Sequence, residues 1–306
     1  MKKFYSLLII LFAIVTTSWS QTRSWNGGSG DWNDKSKWTP FGLPTEEDVL
    51  EFNGISGTVS NVPYFAFRGL IVSGGNMILN GASGESKILT IGNTGSDASI
   101  AVHADANLTI GNNLNIILAK NAFAAIDGTL IVTTNRQYYT NTGGSTKTIV
   151  NGVLRNNGGT IFSEESRLEF RDGSIYEHAM NQGHIPAATW EVNSNCNIEG
   201  VVSKAPGGIN QLFGNYKWDC PLQTGGVSLG TAIPASISGN LVITKTGAAA
   251  DPAIYVAFPD QVDIGGSLLI IGGACTVKGT TSTVGLSGDF IMAGGSLRAN
   301  ATSAAN

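Results

Sequence analysis

Ile126-Asp127-Gly128-Thr129-Leu130-Ile131-Val132 reads apolar, any, Gly or Asn, any, apolar, any, apolar. The same order returns in Ile110–Ile116 (IGNNLNI), Ile237–Ile243 (ISGNLVI), Ile264–Ile270 (IGGSLLI) and Leu286–Met292 (LSGDFIM). Val150-Asn151-Gly152-Val153-Leu154 is a truncated copy. Twenty-four residues separate Gly128 from Gly152, 27 separate Gly239 from Gly266, and 22 separate Gly266 from Gly288. A period in the twenties that varies from copy to copy is the signature of stacked coils. One coil cannot bury its own apolar face, but coils stacked at ~4.8 Å share a continuous core. The Gly or Asn is expected at the bend between strands, where a positive φ is cheap.

The rest of the chain agrees. Apolar residues alternate over five to seven positions and are bounded by Gly, Asn, Ser and Thr, which marks short strands. Helical spacing is absent apart from Asn115–Ile126, where Leu114-Asn115-Ile116 reads better as a strand. An array of β-sandwich domains would also give short strands, but with nine Pro and no Pro/Ser-rich linker, nothing divides the chain. The expected fold class is therefore all-β, a β-solenoid of the parallel β-helix type.

Composition narrows the function. Charged residues are 13% of the chain and Gly contributes 40 of 306 residues. Both depart from average usage, and the low charge argues against disorder. A net charge of −4 without a basic patch gives no reason to invoke nucleic acid.

The N-terminus sets the compartment. Met1-Lys2-Lys3 is basic, Phe4–Val15 is uncharged, and Ser18-Trp19-Ser20 places small residues where a signal peptidase reads. A secretory signal peptide over 1–20, cleaved between Ser20 and Gln21, is expected. The apolar run is shorter than the ~20 residues of a membrane helix, so no membrane span is expected in the mature chain. The expected organisation is 1–20 signal peptide, 21–47 Trp/Gly-rich capping segment and 48–306 β-helix, truncated at its C-terminal end.

Two segments carry a family resemblance. Trp25-Asn26-Gly27-Gly28-Ser29-Gly30-Asp31-Trp32, Lys37-Trp38, Gly42-Leu43-Pro44 and Asp48-Val49-Leu50-Glu51-Phe52 resemble the N-terminal segment of autotransporter-like passenger and adhesin proteins. Gly183–Trp190, Ser194–Gly200 and Gln211–Cys220 resemble a pattern in large bacterial surface proteins exported by the type IX route. The resemblance implies a secreted or cell-surface protein, part of a longer adhesin-like chain, with an extracellular polysaccharide or a host or other cell surface as partner.

Candidate chemistry is sparse. Gly27-Gly28-Ser29-Gly30-Asp31 has the look of a calcium nonapeptide, but there is one copy and its Asp falls one position early, so a tight turn is expected. Glu165, Arg167, Glu169 and Arg171 form the densest polar strip, with Arg167, Glu169 and Arg171 on one strand face and Leu168 and Phe170 on the other. A β-helix lyase would want carboxylates for Ca²⁺ beside a basic residue, whereas opposite charges on a solvated strand face are the commoner arrangement. His103, His178 and His184 lack zinc-type spacing and are expected at the surface or in turns. No cofactor or metal is implied. Tyr138, Tyr139 and Tyr176 are candidates for stacking on sugars or for packing.

Cys196 and Cys220 are 24 residues apart, about one coil. In equivalent positions they would stack within disulfide reach. A bond in an oxidising compartment and a ladder of two buried thiols are both open. Cys275 is expected buried and unpaired. Two function classes follow, a structural or adhesive surface protein and a carbohydrate-active enzyme or carbohydrate-binding protein. The discriminator is three or more carboxylates plus a basic residue at one lateral position on successive coils, and the sequence alone does not assemble one.

Overall fold

The computed structural model describes residues 21–92, 99–140, 142–227, 233–247, 253–278 and 283–300. The chain is a β-solenoid of about 11 turns, 52% strand and 2% helix. A representative coil lays down Ile100–Val102, Ala106–Ile110 and Leu114–Leu118, and the next lays down Phe123–Ile126, Thr129–Thr133 and Gln137–Tyr139. Neighbouring coils pair in parallel on three faces, with Ile100 opposite Ala124, Leu108 opposite Leu130 and Ile116 opposite Tyr138. Asn115–Ile126 is thus two strands joined by a turn.

The faces differ in extent. A twelve-stranded sheet runs from Gly30–Asp31 to Phe290–Met292 and forms the spine. A nine-stranded sheet ends at Thr189–Trp190 and a five-stranded sheet at Thr160–Phe162. Isolated parallel bridges, His184 to Gly207, Phe213 to Ile237 and Val227 to Val256, continue those two faces. They lead to two three-stranded sheets near the C-terminal end.

The core is made of columns. Inward from the spine, Leu108, Leu130, Leu154, Tyr176, Cys196, Tyr216, Leu241 and Leu268 lie over one another. All are buried. Where the nine-stranded sheet stops, rings take over: Phe170 stacks on Trp190 at 4.2 Å, and Trp190 meets Phe213 at 4.9 Å. Flat rings bury the large apolar area that strand pairing no longer organises.

Five template copies mark one corner, the entry into the spine, whereas Ile110–Ile116 marks the next corner of its coil. The reason for Gly at the entry corner differs from the expectation. Gly128, Gly152, Gly239, Gly266 and Gly288 all lack a positive φ. They are stacked: a Cβ on Gly266 would lie 2.7 Å from the backbone of Gly239, and one on Gly288 would lie 2.8 Å from Gly266. A Cβ on Gly152 would run into the carbonyl oxygens of Asp127 and Gly128. Glycine is required by close approach of backbones, not by handedness. Beside it runs a side-chain ladder. Asn215 accepts from the Asn240 N–H at 2.9 Å, Asn240 from the Ser267 N–H at 2.8 Å, and Ser267 from the Asp289 N–H at 3.0 Å.

Residues 21–47 form the first coil of the stack. Thr22–Trp25 pairs in parallel with Val49–Asn53, and Gly30–Asp31 pairs with Gly57–Val62, so the boundary expected at Asp48 falls within continuous sheet. Trp38–Thr39 folds back antiparallel on the outer edge of Thr22–Trp25. Trp25, Trp32 and Trp38 are buried there, with centroids 4.9 Å apart from Trp38 to each of the others. Gly27 and Gly28 make the tight turn between Trp25 and Trp32, both with positive φ. The Val49 N–H donates to the Gln21 carbonyl at 2.9 Å, so pairing among the described residues reaches back to Gln21. Ser20 and the rest of 1–20 lie outside the described residues. Among the described residues no helix is long and apolar enough to cross a membrane.

Candidate functional site

The strip chosen from sequence is occupied by coil-to-coil contacts. Glu165–Arg167 is a short 3-10 turn leading into the strand Leu168–Phe170, whose Leu168 and Phe170 are fully buried. Glu169 bridges Lys147 on the preceding coil and Arg171 on its own, and Arg171 reaches Glu191 on the next at 2.9 Å. Arg167 bonds Glu164 at 3.1 Å and donates to the Gly144 carbonyl at 2.8 Å. Glu165 takes the Thr189 hydroxyl on its backbone carbonyl at 3.0 Å. Glu165 borders a cavity of about 380 Å³ with Trp190, Gln211 and Leu212.

A second charged stripe, not singled out from sequence, lies on the outer face of the spine. Arg155, Glu177, Asn197 and Lys217 follow one another across four strands. Two positions further along come Glu199 and Asp219, and Asp219 pairs with Lys245 across a register shift. Glu177, Glu199 and Asp219 thus bring three carboxylates from successive coils beside three cations. Arg155 pairs with Glu177 and, at 3.5 Å, with Glu199, while Lys217 holds Asp219 at 3.1 Å. Burial, then the neighbouring Glu177, pushes the Glu199 carboxyl above the usual carboxylate range, against the opposing pull of Arg155 and Lys217. Lys245 is exposed and makes no ion pair among the described residues. A groove of about 550 Å³ runs between Arg155, Glu199, Asp219 and Lys245 over Ala179 and Gly200. Its two signs of charge suit a ligand that both donates and accepts hydrogen bonds. Among the described residues no three of His, Cys, Asp and Glu are grouped so as to hold a metal ion.

The stripe escaped sequence reading because its members are unevenly spaced. Glu177 to Glu199 is 22 residues and Glu199 to Asp219 is 20, and only the register shows that Glu177 and Glu199 are neighbours two positions out of line.

The cysteines follow the same lesson. Cys196 lies between Tyr176 and Tyr216 in the core column, whereas Cys220 lies four residues beyond Tyr216 and pairs with Thr246. The coil at this point is 20 residues, not 24, so Cys196 and Cys220 do not occupy the equivalent positions that a bond between them requires. Both are free and buried, as is Cys275. Burial raises all three thiols, Cys220 and Cys275 to about 12.

His103 and His184 are exposed, but His178 is not the surface residue expected. It is fully buried, 3.2 Å from the Tyr176 hydroxyl and 2.6 Å from the Gln182 carbonyl. Burial lowers its pKa to about 4. Tyr138 and Tyr176 are core residues, and only Tyr139 faces outward, half-buried and stacked on Phe162 at 4.3 Å.

No family model, curated protein or solved structure matches this chain.

Proposed function

We propose that the chain is an exported structural or adhesive protein, secreted or held at the cell surface, whose solenoid is a stiff platform facing a polysaccharide or another cell. One observation carries this reading. The charges on two outer faces join coil to coil, Lys147–Glu169–Arg171–Glu191 on one and Glu177–Arg155–Glu199 on the other. Networks of this kind brace a rod more effectively than isolated surface pairs. The order of basic, apolar and small residues at the N-terminus supports export, and the likeness of its Trp/Gly segments to adhesin and type IX cargo sequences supports the surface assignment. Protease treatment of intact cells tests it. The chain should be cleaved from outside and its exported form should begin at Gln21. Recovery from the cytoplasm with Met1 retained would refute it.

The groove around Glu199 favours a second reading, a carbohydrate-active or carbohydrate-binding surface. A carboxyl whose hold on its proton is raised by burial and by a neighbouring carboxylate is a candidate proton donor. A lyase and hydrolase screen on acidic polysaccharides, with and without Ca²⁺, separates the two. Product release that disappears in Glu199→Gln would install the enzyme reading in place of the platform.

A further inference from the structure

Past Thr160–Phe162 the face that held the five-stranded sheet is carried by turns, joined by the isolated bridge from His184 to Gly207. A recess of about 540 Å³ opens there, between the chain at 182–184 and the next coil at 203–207. Its walls are held in place from both coils. Asn181 accepts the successive backbone N–H groups of Val202, Ser203 and Lys204 at 3.0, 2.9 and 3.0 Å. The Gln182 N–H donates to the Lys204 carbonyl at 2.9 Å. The turn that carries Ser203 and Lys204 is thus fixed by its neighbour. The His184 imidazole lies along Gly207 and Gly208. A Cβ on Gly207 would fall 2.6 Å from Nδ1 of the ring, and one on Gly208 would fall 2.9 Å from Nε2. Only the absence of side chains at both positions lets the ring lie against backbone.

The polar groups around the recess are chiefly donors. Gln182, His184, Ser203 and Lys204 are all exposed. Among the described residues Lys204 makes no ion pair and the His184 ring no hydrogen bond. The Ser203 hydroxyl accepts from the Asn181 amide at 3.5 Å, which leaves its own proton to donate. Among the described residues no Asp or Glu lines the recess, in a chain whose net charge is −4. The groove around Glu199, by contrast, mixes both signs. One fixed positive charge among neutral donors matches a group that spreads one negative charge over several oxygens.

We propose that this recess binds a monoanionic ester on a polysaccharide, a sulfate ester or a phosphodiester. Lys204 supplies the charge, and Gln182, His184 and Ser203 supply further hydrogen bonds. A phosphate monoester is a poorer match, since it carries ~−1.5 to −2 at neutral pH against a single lysine. The polysaccharide carrier rests on the platform reading, whereas the anion rests on the recess alone.

Isothermal titration calorimetry on the purified chain at low salt, where surface charges are least screened, tests both parts. The probes are dextran sulfate, phosphomannan, unmodified dextran and inorganic sulfate. Dextran sulfate or phosphomannan should bind, and the one that binds identifies the ester. Unmodified dextran should not bind. Lys204→Gln should weaken binding roughly tenfold, the loss of one charged hydrogen bond, and His184→Ala should weaken it by less. Both side chains are exposed, so the core is untouched by either change. Lys120→Gln removes an exposed lysine from a different coil and should bind as the wild type does. No binding of any charged probe, equal binding of unmodified dextran, or equal losses in Lys204→Gln and Lys120→Gln would overturn the proposal. Inorganic sulfate held through Lys204 with neither charged polymer bound would overturn the polysaccharide carrier alone, a failure separate from that of export, which is read from protease treatment of cells.

Discussion

A methyl group at Gly152 would meet the carbonyl oxygens of Asp127 and Gly128, whereas one at Gly173, with φ +81°, would meet nothing within 4 Å. The two glycines are needed for different reasons, and substitution separates them. Gly173→Asn should be better tolerated than Gly173→Ala, because Asn adopts the left-handed region at little cost. At Gly152 the larger side chain should do more harm. Gly152→Ala should lose roughly 1–3 kcal/mol, the usual range for overpacking, and Gly152→Asn more. Urea midpoints check this, and a Gly152→Asn variant more stable than Gly152→Ala would show that backbone handedness governs the site after all. The sequence marked these corners correctly through their Gly and Asn, but it could not tell a tight φ from a tight space, because both select the residue without a Cβ. His178 shows the same limit, since nothing in its neighbours announces burial. Its pKa of about 4 lies below the usual 6.5. Between those values the unfolded chain binds a proton that the folded chain refuses, so the neutral imidazole's contribution is complete above pH 6.5 and declines as pH falls toward 4. The loss amounts to about 3 kcal/mol. Denaturation at pH 7, 5.5 and 4 should therefore show a steeper decline for wild type than for His178→Phe. Parallel curves would mean that His178 titrates normally.

At the scale of the strand and sheet, register decides which residues meet, and coil length decides register. From Leu130 to Leu154 a coil takes 24 residues, from Cys196 to Tyr216 it takes 20, and from Leu241 to Leu268 it takes 27. Alternation therefore predicted the inward and outward faces of Leu168, Glu169 and Phe170, because that pattern is local. It could not predict lateral neighbours, because each turn adds or drops residues that leave no periodic trace. That is why the ion pairs of Glu169 were anticipated in kind while the Glu177, Glu199 and Asp219 stripe was not. The cysteines give this a direct test. Each thiol is fully buried and its deprotonation is opposed by burial, so all three should resist a thiol reagent in the native protein. Three equivalents should react once the chain is unfolded without reductant. A peptide linking Cys196 to Cys220 in the non-reduced digest would show that the local coil is closer to 24 residues than to 20.

For the whole molecule, the consequence of stacking is that stability is nearly one-dimensional: each coil rests on the one before and the one after. The ends are then the weak points, and the N-terminal end is stabilised by Trp38, 1% exposed, with its indole N–H donating to the Trp32 carbonyl at 3.0 Å and its ring against both Trp25 and Trp32. Trp38→Ala should cost about 3–5 kcal/mol, the range for a fully buried large aromatic. In a compact globular core such a loss is shared throughout, but here it should remain near its origin. Removing the ring frees Thr22–Trp25 of its antiparallel cover and exposes Leu50 and Phe52, the first buried pair beneath it. Hydrogen exchange followed by mass spectrometry should therefore show protection lost across residues 22–62, while Asn215–Cys220 and Leu241–Thr246 on the spine exchange as in the wild type. The distance between those regions, several coils, is what makes the outcome decisive. Faster exchange that is uniform along the chain would mean that the solenoid unfolds as one cooperative unit and that its coils are coupled far beyond their neighbours.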